Sequence, residues 1–440
     1  TTNGLLFSFL NVAKMNILVV GAGGREHALA YSLSKSPACK NLYVAPGNGG
    51  TSEIASNLQI SVTDFEAISD KIEELLIDMV VVGPEEPLVR GITDFLQSRH
   101  AKLKVLGPDA AGSQLEGSKD FAKQFMHKYG VPTASARVFN EDTLGEGHAF
   151  LDQISSPYVL KADGLAAGKG VIITEDIDEA KTTLTQLLKE QKFGAASKSV
   201  LIEEFLDGIE LSVFVLTDGK SYQILPEAKD YKRIGENDAG PNTGGMGAVS
   251  PVVFADRDFM NKVEEKVVKP TVEGIRKEGF DYKGFIFIGL MNKDGDPFVI
   301  EYNVRMGDPE TEVVMPRIKS DLAELLAHTA SGTLAEASFE VSDQTAATVM
   351  LVSEGYPGSY EKGRAIEMGP LEKDTLVFHA GTKREARLLT NGGRVVAVTG
   401  LADNLSSALK KSYAGANEIR WRGQFYRKDI GQDLIRRGQQ

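Results

Sequence analysis

The chain holds one cysteine, Cys39, and one tryptophan in 440 residues. A lone thiol can form neither an intramolecular disulfide nor a thiolate zinc site, so stability has to come from packing, and a reducing cytoplasm is the expected setting. The six histidines show no H-E-x-x-H spacing and no G-x-S-x-G occurs, which removes the zinc and serine hydrolase readings. Long apolar runs are also missing. The stretch Leu5–Leu10 is far short of the ~20 residues that span a bilayer, and no basic segment leads it as in a signal peptide. Positive charge is in deficit, Lys+Arg 49 against Asp+Glu 61 for a net −12, and this argues against nucleic acid or an anionic membrane as partner. What is present is an ordinary globular composition, 42% hydrophobic and 25% charged, with length for about three domains.

A strong strand pattern opens at Met15, and residues 1–14 read as a tag remnant or extension. Apolar runs at Asn16–Val20, Asn41–Val44, Asp78–Val82 and Lys104–Leu106, with a weaker one at Leu58–Val62, alternate with segments of helical period such as Arg25–Ser34, Asp64–Ile77 and Leu88–Ser98. That alternation predicts a doubly wound parallel sheet whose ligands bind at the strand carboxyl ends. After a helical stretch at Ser118–Tyr129 the pattern changes to hairpins. Tyr158–Ala162 and Val171–Thr174 flank a Gly-rich loop, Val200–Phe205, Leu211–Leu216 and Tyr222–Pro226 read as a meander, and Phe285–Asn292 and Pro297–Tyr302 bracket Asp294-Gly295. A last block, about 342–440, mixes strands with an amphipathic segment at 402–418.

Gly21-Ala22-Gly23-Gly24-Arg25-Glu26 satisfies half of a dinucleotide fingerprint, but Glu26 stands where the third glycine belongs and no acidic residue closes the second strand at Ala45-Pro46-Gly47. NAD is therefore not expected. A tight turn feeding a helix N-terminus survives, with backbone N–H groups expected to be free for a single phosphate. Asp163–Gly170 is no Walker A loop: its glycines are one residue too close, Gly170 replaces the Ser/Thr, and a strand follows. With Lys161 before it and Lys169 inside it, the loop is expected to fold as a flap over a triphosphate, Lys161 facing a solvated cleft. In Glu301-Tyr302-Asn303-Val304-Arg305, residues two apart on a strand share a face. Glu301 and Asn303 supply hard oxygen ligands for Mg²⁺, and Arg305 is placed to stabilise a phosphoryl group in transit. Asp230–Arg233 and Gly240–Gly247 form a long polar loop of the sort organised around a ligand. His27 and His379 read as hydrogen-bonded structural residues.

From Met15 to Ile435 these stretches together resemble the phosphoribosylamine–glycine ligase (glycinamide ribonucleotide synthetase) family of the ATP-grasp superfamily. The resemblance is carried by VGAGGREHAL, APGN, VGPEEPLV, LEGSK, LKADGLAAGKGV, IEEFLDG, GPNTGGMGA, EYNVRMGDPET, FHAGT and RKDIG. Departures are Ala22, often Asn in the family, Tyr231, usually His, and the variable Val304. The resemblance implies a Rossmann-like substrate domain at 15–116, an ATP-grasp domain at 117–341 with its flap at about 134–206, and a small α+β domain at 342–440. It implies an ATP site made by Lys119, Lys161, Gly168, Lys169, Gly170, the backbone edge Glu203, Glu204, Phe205 and Leu206, and Glu210 on the ribose. Gly23, Gly24, Arg25, Gly47, Asn48, Glu85, Asp230, Lys232, Arg233, Asn242, Thr243, Gly244 and Asp308 would meet the other substrates, with the phosphate of phosphoribosylamine in the first glycine crevice. Glu301 and Asn303 match the ligands of Mg²⁺ or Mn²⁺, and Arg305 and Lys161 the catalytic cations. The implied partners are ATP, glycine and 5-phosphoribosylamine, with no nucleic acid and no membrane, in a cytoplasmic monomer.

Overall fold

The computed structural model describes residues 14–165, 170–190, 196 and 198–438. Its first sheet has the order Ser56–Asn57, Cys39–Pro46, Met15–Gly21, Met79–Val82, Lys104–Leu106, all parallel. The central strand Met15–Gly21 is buried along its whole length, as a strand covered on both faces requires. The weak run at 58–62 is not a strand. Pairing stops at Asn57, and Leu58, Ile60 and Val62 are side chains packed against the sheet's core from a loop. The helical segment expected at 88–98 is split into Glu85–Val89 and Ile92–Arg99 by Gly91, whose φ of +83° places it in the left-handed region open to glycine.

The hairpins make two further sheets. In the four-stranded one the order is Ala136–Asn140, Ser199–Glu203, Tyr158–Ala162, Val171–Thr174, antiparallel throughout, with helices Leu144–Leu151 and Ile177–Lys189 packed on one face. The expected three-strand meander is corrected here: Ser199–Glu203 belongs to this sheet, whereas Ile209–Thr217 and Tyr222–Asp230 pair in another. The chain therefore crosses from one sheet to the other at Glu204–Gly208, and the crossing creates a cleft between them. The nine-stranded sheet runs Asp296–Asn303, Gly284–Lys293, Ile209–Thr217, Tyr222–Asp230, Gly247–Ser250, Thr345–Ser353, Arg394–Ala402, Thr375–His379, with Gln424–Phe425 joined to Thr345–Ser353. Strands of the C-terminal block thus continue the central sheet through the pairing of Gly247–Ser250 with Thr345–Ser353. Among the described residues no helix is long and apolar enough to cross a membrane.

Candidate active site

The cleft between the two sheets is lined by lysines. Helix Lys119–Tyr129 is started by Ser118, whose Oγ accepts from the Phe121 N–H at 3.1 Å, and by Asp163, which accepts from the Asp120 N–H at 2.9 Å. Lys119 and Lys123, one turn apart, share the face turned to the cleft. Lys119 Nζ donates to the carbonyls of Asp163 (3.3 Å) and Gly164 (3.1 Å). Lys161, from the flap strand, reaches Glu203 at 2.8 Å and the Ile300 carbonyl at 3.3 Å, and Lys123 meets the same Glu203 oxygen at 3.4 Å. Burial draws the Lys119 pKa below its usual range against the pull of Glu301. Burial and the nearby Lys161 bring Lys123 down to about 8, with Glu203 opposing. Two of the three ammonium groups, those of Lys123 and Lys161, thus converge on one carboxylate, while that of Lys119 rests on carbonyl oxygens alone, an arrangement that awaits a polyanion.

Beside these cations, Ala134, Leu206 and Met291 are buried with Phe298 and Ile300 packed against them, a small apolar cluster next to the charged one. Farther along the cleft Glu210 pairs with Lys232 Nζ at 2.8 Å, and Asp230 lies 4.0 Å from the same ammonium. Lys232 holds the Glu210 carboxyl below its ordinary range. Burial works against the charge on Lys232, but Asp230 and Glu210 outweigh it and raise its pKa.

The strand Asp296–Asn303 brings Glu301 and Asn303 to the floor of the cleft, and Arg305 follows at its end. Arg305 Nη2 donates to Asn303 Oδ1 at 3.0 Å and to Glu116 at 2.7 Å, and its Nε lies 3.3 Å from Glu85. Glu116 also accepts from the Val304 N–H at 2.8 Å. Burial pushes the Glu116 carboxyl up to about 7, with Arg305 pulling the other way. One guanidinium therefore joins the parallel sheet's loops to the cleft.

Residues 15–116 match the phosphoribosylglycinamide synthetase N domain, 117–311 its ATP-grasp (A) domain and 346–433 its C domain. The chain belongs to the phosphoribosylglycinamide synthetase family. Phosphoribosylamine–glycine ligase of Chlorobaculum tepidum is 44% identical over 425 residues, 95% of this chain and 99% of that protein. The structure of phosphoribosylamine–glycine ligase from Thermotoga maritima is 36% identical with a TM-score of 0.82, over 94% of this chain and 100% of that one. The biotin carboxylase domain of the Hydrogenobacter thermophilus 2-oxoglutarate carboxylase, 16% identical with a TM-score of 0.71 over 94% and 92% of the two chains, shares the fold.

For this phosphoribosylglycinamide synthetase family member, the structure gathers Lys119, Lys161, Glu203, Glu210, Asp230, Lys232, Glu301, Asn303 and Arg305 around one cleft. Several expectations need correction. Lys161 is buried, not solvated, because Glu203 holds it. The backbone edge is partly spent, since the Glu204 N–H donates to the Ser135 carbonyl at 2.9 Å, and Phe205 is exposed while Leu206 is buried. Two N–H groups at the glycine turn are not free either: Gly23 donates to Glu26 at 2.6 Å and Arg25 to Asp308 at 3.2 Å. The Arg25 guanidinium is held by Glu26 and by the Met306 carbonyl at 3.2 Å. Carboxylates thus take two of the N–H groups read as a phosphate seat. Both ends of the Asn48 amide are used, Nδ2 donating to the carbonyls of Ala22 (2.9 Å) and His379 (2.7 Å), Oδ1 accepting from Gly50 and Thr51. These bonds tie down the loop that Gly47, at φ +73°, begins.

Arg233, Asn242, Thr243 and Gly244 brace their own loop. Arg233 Nη1 donates to the Gly240 carbonyl at 2.8 Å, the Arg233 backbone forms an antiparallel bridge with that of Asn242, the Thr243 hydroxyl donates to the Lys232 carbonyl at 2.7 Å, and Gly244 accepts from Arg394 at 2.7 Å. Gly168 and Lys169 lie outside the described residues, and Gly170 is buried just before the second strand of the flap hairpin, Val171–Thr174. The sequence reading missed Lys123, Glu116 and the carboxylate role of Glu203. The four-residue spacing of Lys119 and Lys123 and the glutamate inside LEGSK were the available signals.

Among the described residues no cluster of three or more His, Cys, Asp or Glu is placed to hold a metal ion by itself. Glu301 and Asn303 offer two hard oxygens, and the Asn303 Nδ2 is buried without a partner. This donor set suits a magnesium-like ion that takes its other ligands from phosphates and water.

Proposed function

We propose that the chain joins glycine to 5-phosphoribosylamine at the expense of ATP, through a glycyl phosphate, giving glycinamide ribonucleotide, ADP and phosphate. The observation that carries the reading is Arg305, whose guanidinium touches Asn303 beside the lysine cleft and Glu116 and Glu85 beside the crevice. A group moving from nucleotide to glycine would pass this point. An anionic carboxylate resists attack by an amine, and phosphorylation removes that charge and supplies a leaving group. In this reading Lys119 and Lys161 bind the triphosphate, and the apolar cluster around Leu206 takes the adenine. Arg305 offsets charge on the phosphoryl in transit, and Asp230, Lys232 and Asp308 orient the two small substrates. Glu301 and Asn303 would hold Mg²⁺ or Mn²⁺, which supplies charge neutralisation between phosphates when bound. A cytoplasmic monomer belongs to the same proposal, and size-exclusion chromatography tests the second part.

Glycine labelled with ¹⁸O in its carboxylate decides the chemistry. The oxygen that bridges to phosphorus leaves with phosphate when the amine attacks, so one label per turnover should appear in inorganic phosphate. Label-free phosphate beside genuine glycinamide ribonucleotide would sink the glycyl phosphate.

A further inference from the structure

The strand Tyr222–Asp230 runs out into the loop that carries Asp230, Lys232 and Arg233, and it pairs with Gly247–Ser250 at only two positions, Lys229 with Val249 and Asp230 with Ala248. The extended course continues, since the Tyr231 N–H donates to Gly247 at 3.0 Å and the Met246 N–H to Tyr231 at 2.7 Å. In such backbone, alternate side chains face opposite ways. Asp230 and Lys232 point to the cleft and Glu210, whereas Lys229 and Tyr231 point to the C-terminal segment. There one carboxylate grips both: Asp433 Oδ1 accepts from the Tyr231 hydroxyl at 2.6 Å and Oδ2 lies 3.1 Å from Lys229 Nζ. Lys229 also sits 3.8 Å over the Tyr231 ring. The grip is extended by Arg427, whose side chain is 1% exposed. Its guanidinium is held by Asp429 and Asp238 at 2.8 Å and donates to the Arg233 carbonyl at 3.0 Å.

We infer that Asp433 is a positioning residue for the small-molecule substrates: by holding the outward pair Lys229 and Tyr231, it fixes the inward aim of Asp230 and Lys232. This rests on the reading of Asp230–Arg233 as a substrate loop. It gives the C-terminal segment 427–433 a part in substrate capture although it reaches no substrate itself.

The test compares Asp433→Asn, Tyr231→Phe and the double variant in the full chain, by steady-state kinetics and by hydrogen–deuterium exchange of peptides covering 230–247. Either single change should raise the KM for glycine or phosphoribosylamine about tenfold with kcat nearly constant, as loss of one charge-assisted hydrogen bond predicts. Loop amides should exchange faster, the double variant should be no worse than Asp433→Asn, and Tyr231→His, which keeps an N–H donor, should recover most of the loss. Unchanged KM values with unchanged exchange would overturn the proposal. So would a fall in kcat that merely follows a fall in melting temperature. If Asp433→Asn does not fold, Tyr231→Phe, which removes one oxygen, carries the same test. Absence of ligase activity in the unaltered protein would sink the proposed function, while the exchange result would still judge the brace.

Discussion

The lysine cleft and the crevice at the carboxyl ends of the parallel sheet are both buried and charged, yet they settle their charge in opposite ways. In the cleft, Lys123 and Lys161 share Glu203 as their one directly bonded carboxylate, Lys119 is bonded to carbonyl oxygens alone, and Lys123 and Lys161 rest otherwise on carbonyl oxygens and the Thr133 hydroxyl. In the crevice, Arg25, Arg305 and Arg394 meet Glu26, Glu85, Glu116, Asp308 and Glu312. Burial pushes Glu116 up to about 7 and raises Glu312 well above the carboxylate range. Five carboxyl groups therefore face three arginines, two of the five held toward the neutral form by burial. A site with unmatched cations gains by admitting a polyanion, whereas a neutralised one gains little and would lose internal bonds. The comparison teaches that a glycine turn before a helix is a phosphate seat only while its N–H groups have no closer acceptor.

The strongest blow to the cleft is expected from Glu301→Gln, which keeps the size but removes the charge a divalent ion needs. Activity should fall by roughly two orders of magnitude and the optimum should move to higher Mg²⁺. Unchanged Mg²⁺ dependence in a titration of initial rates would deny Glu301 that role.

Next in size is Lys161→Met. Because Glu203 would keep only Lys123, at 3.4 Å, this change should weaken ATP binding at least about tenfold and also cost roughly 3 kcal/mol of stability. Calorimetry and urea unfolding read the two effects separately. Lost affinity without lost stability would mean that the pair with Glu203 is not maintained in solution.

Glu116 should give a smaller effect with a definite sign. Its carboxyl is raised from 4.5 to about 7 by burial, so the stability it contributes is complete below about pH 4.5 and is lost as pH rises through about 7. In Glu116→Gln the fall between pH 5 and 7 should flatten by up to about 1.4 kcal/mol per pH unit. Parallel urea midpoints across that window for both proteins would refute the assignment.

Much of this was legible in the sequence because it rests on local pattern. The buried run Asn16–Val20 specifies a parallel strand, and Glu301, Asn303 and Arg305 at spacing two specify one face of another. What escaped depends on partners distant in sequence. Nothing near Arg25 announces that Asp308, 283 residues later, takes its N–H, and nothing near Glu203 announces Lys123 and Lys161. The false meander has the same origin, since hairpin signals show where strands turn but not which sheet the next strand joins.

The smallest effect on chemistry, and the sharpest test of the comparison, is expected from Asn48→Asp. If the crevice is a self-satisfied framework, the Asn48 amide matters because Nδ2 donates to the Ala22 and His379 carbonyls, tying the glycine turn to the C-terminal strand Thr375–His379. Aspartate has nearly the same shape but would set a carboxylate oxygen against those two carbonyls. The loss should be about 1–3 kcal/mol of stability, with kcat within about threefold of the parent and little change in the KM for phosphoribosylamine. If Asn48 instead bound substrate through its side chain, the order would reverse, with KM rising strongly and the melting temperature barely moving. Thermal unfolding together with a phosphoribosylamine titration separates the two, and the second outcome would show that the crevice opens its internal bonds to admit the ligand.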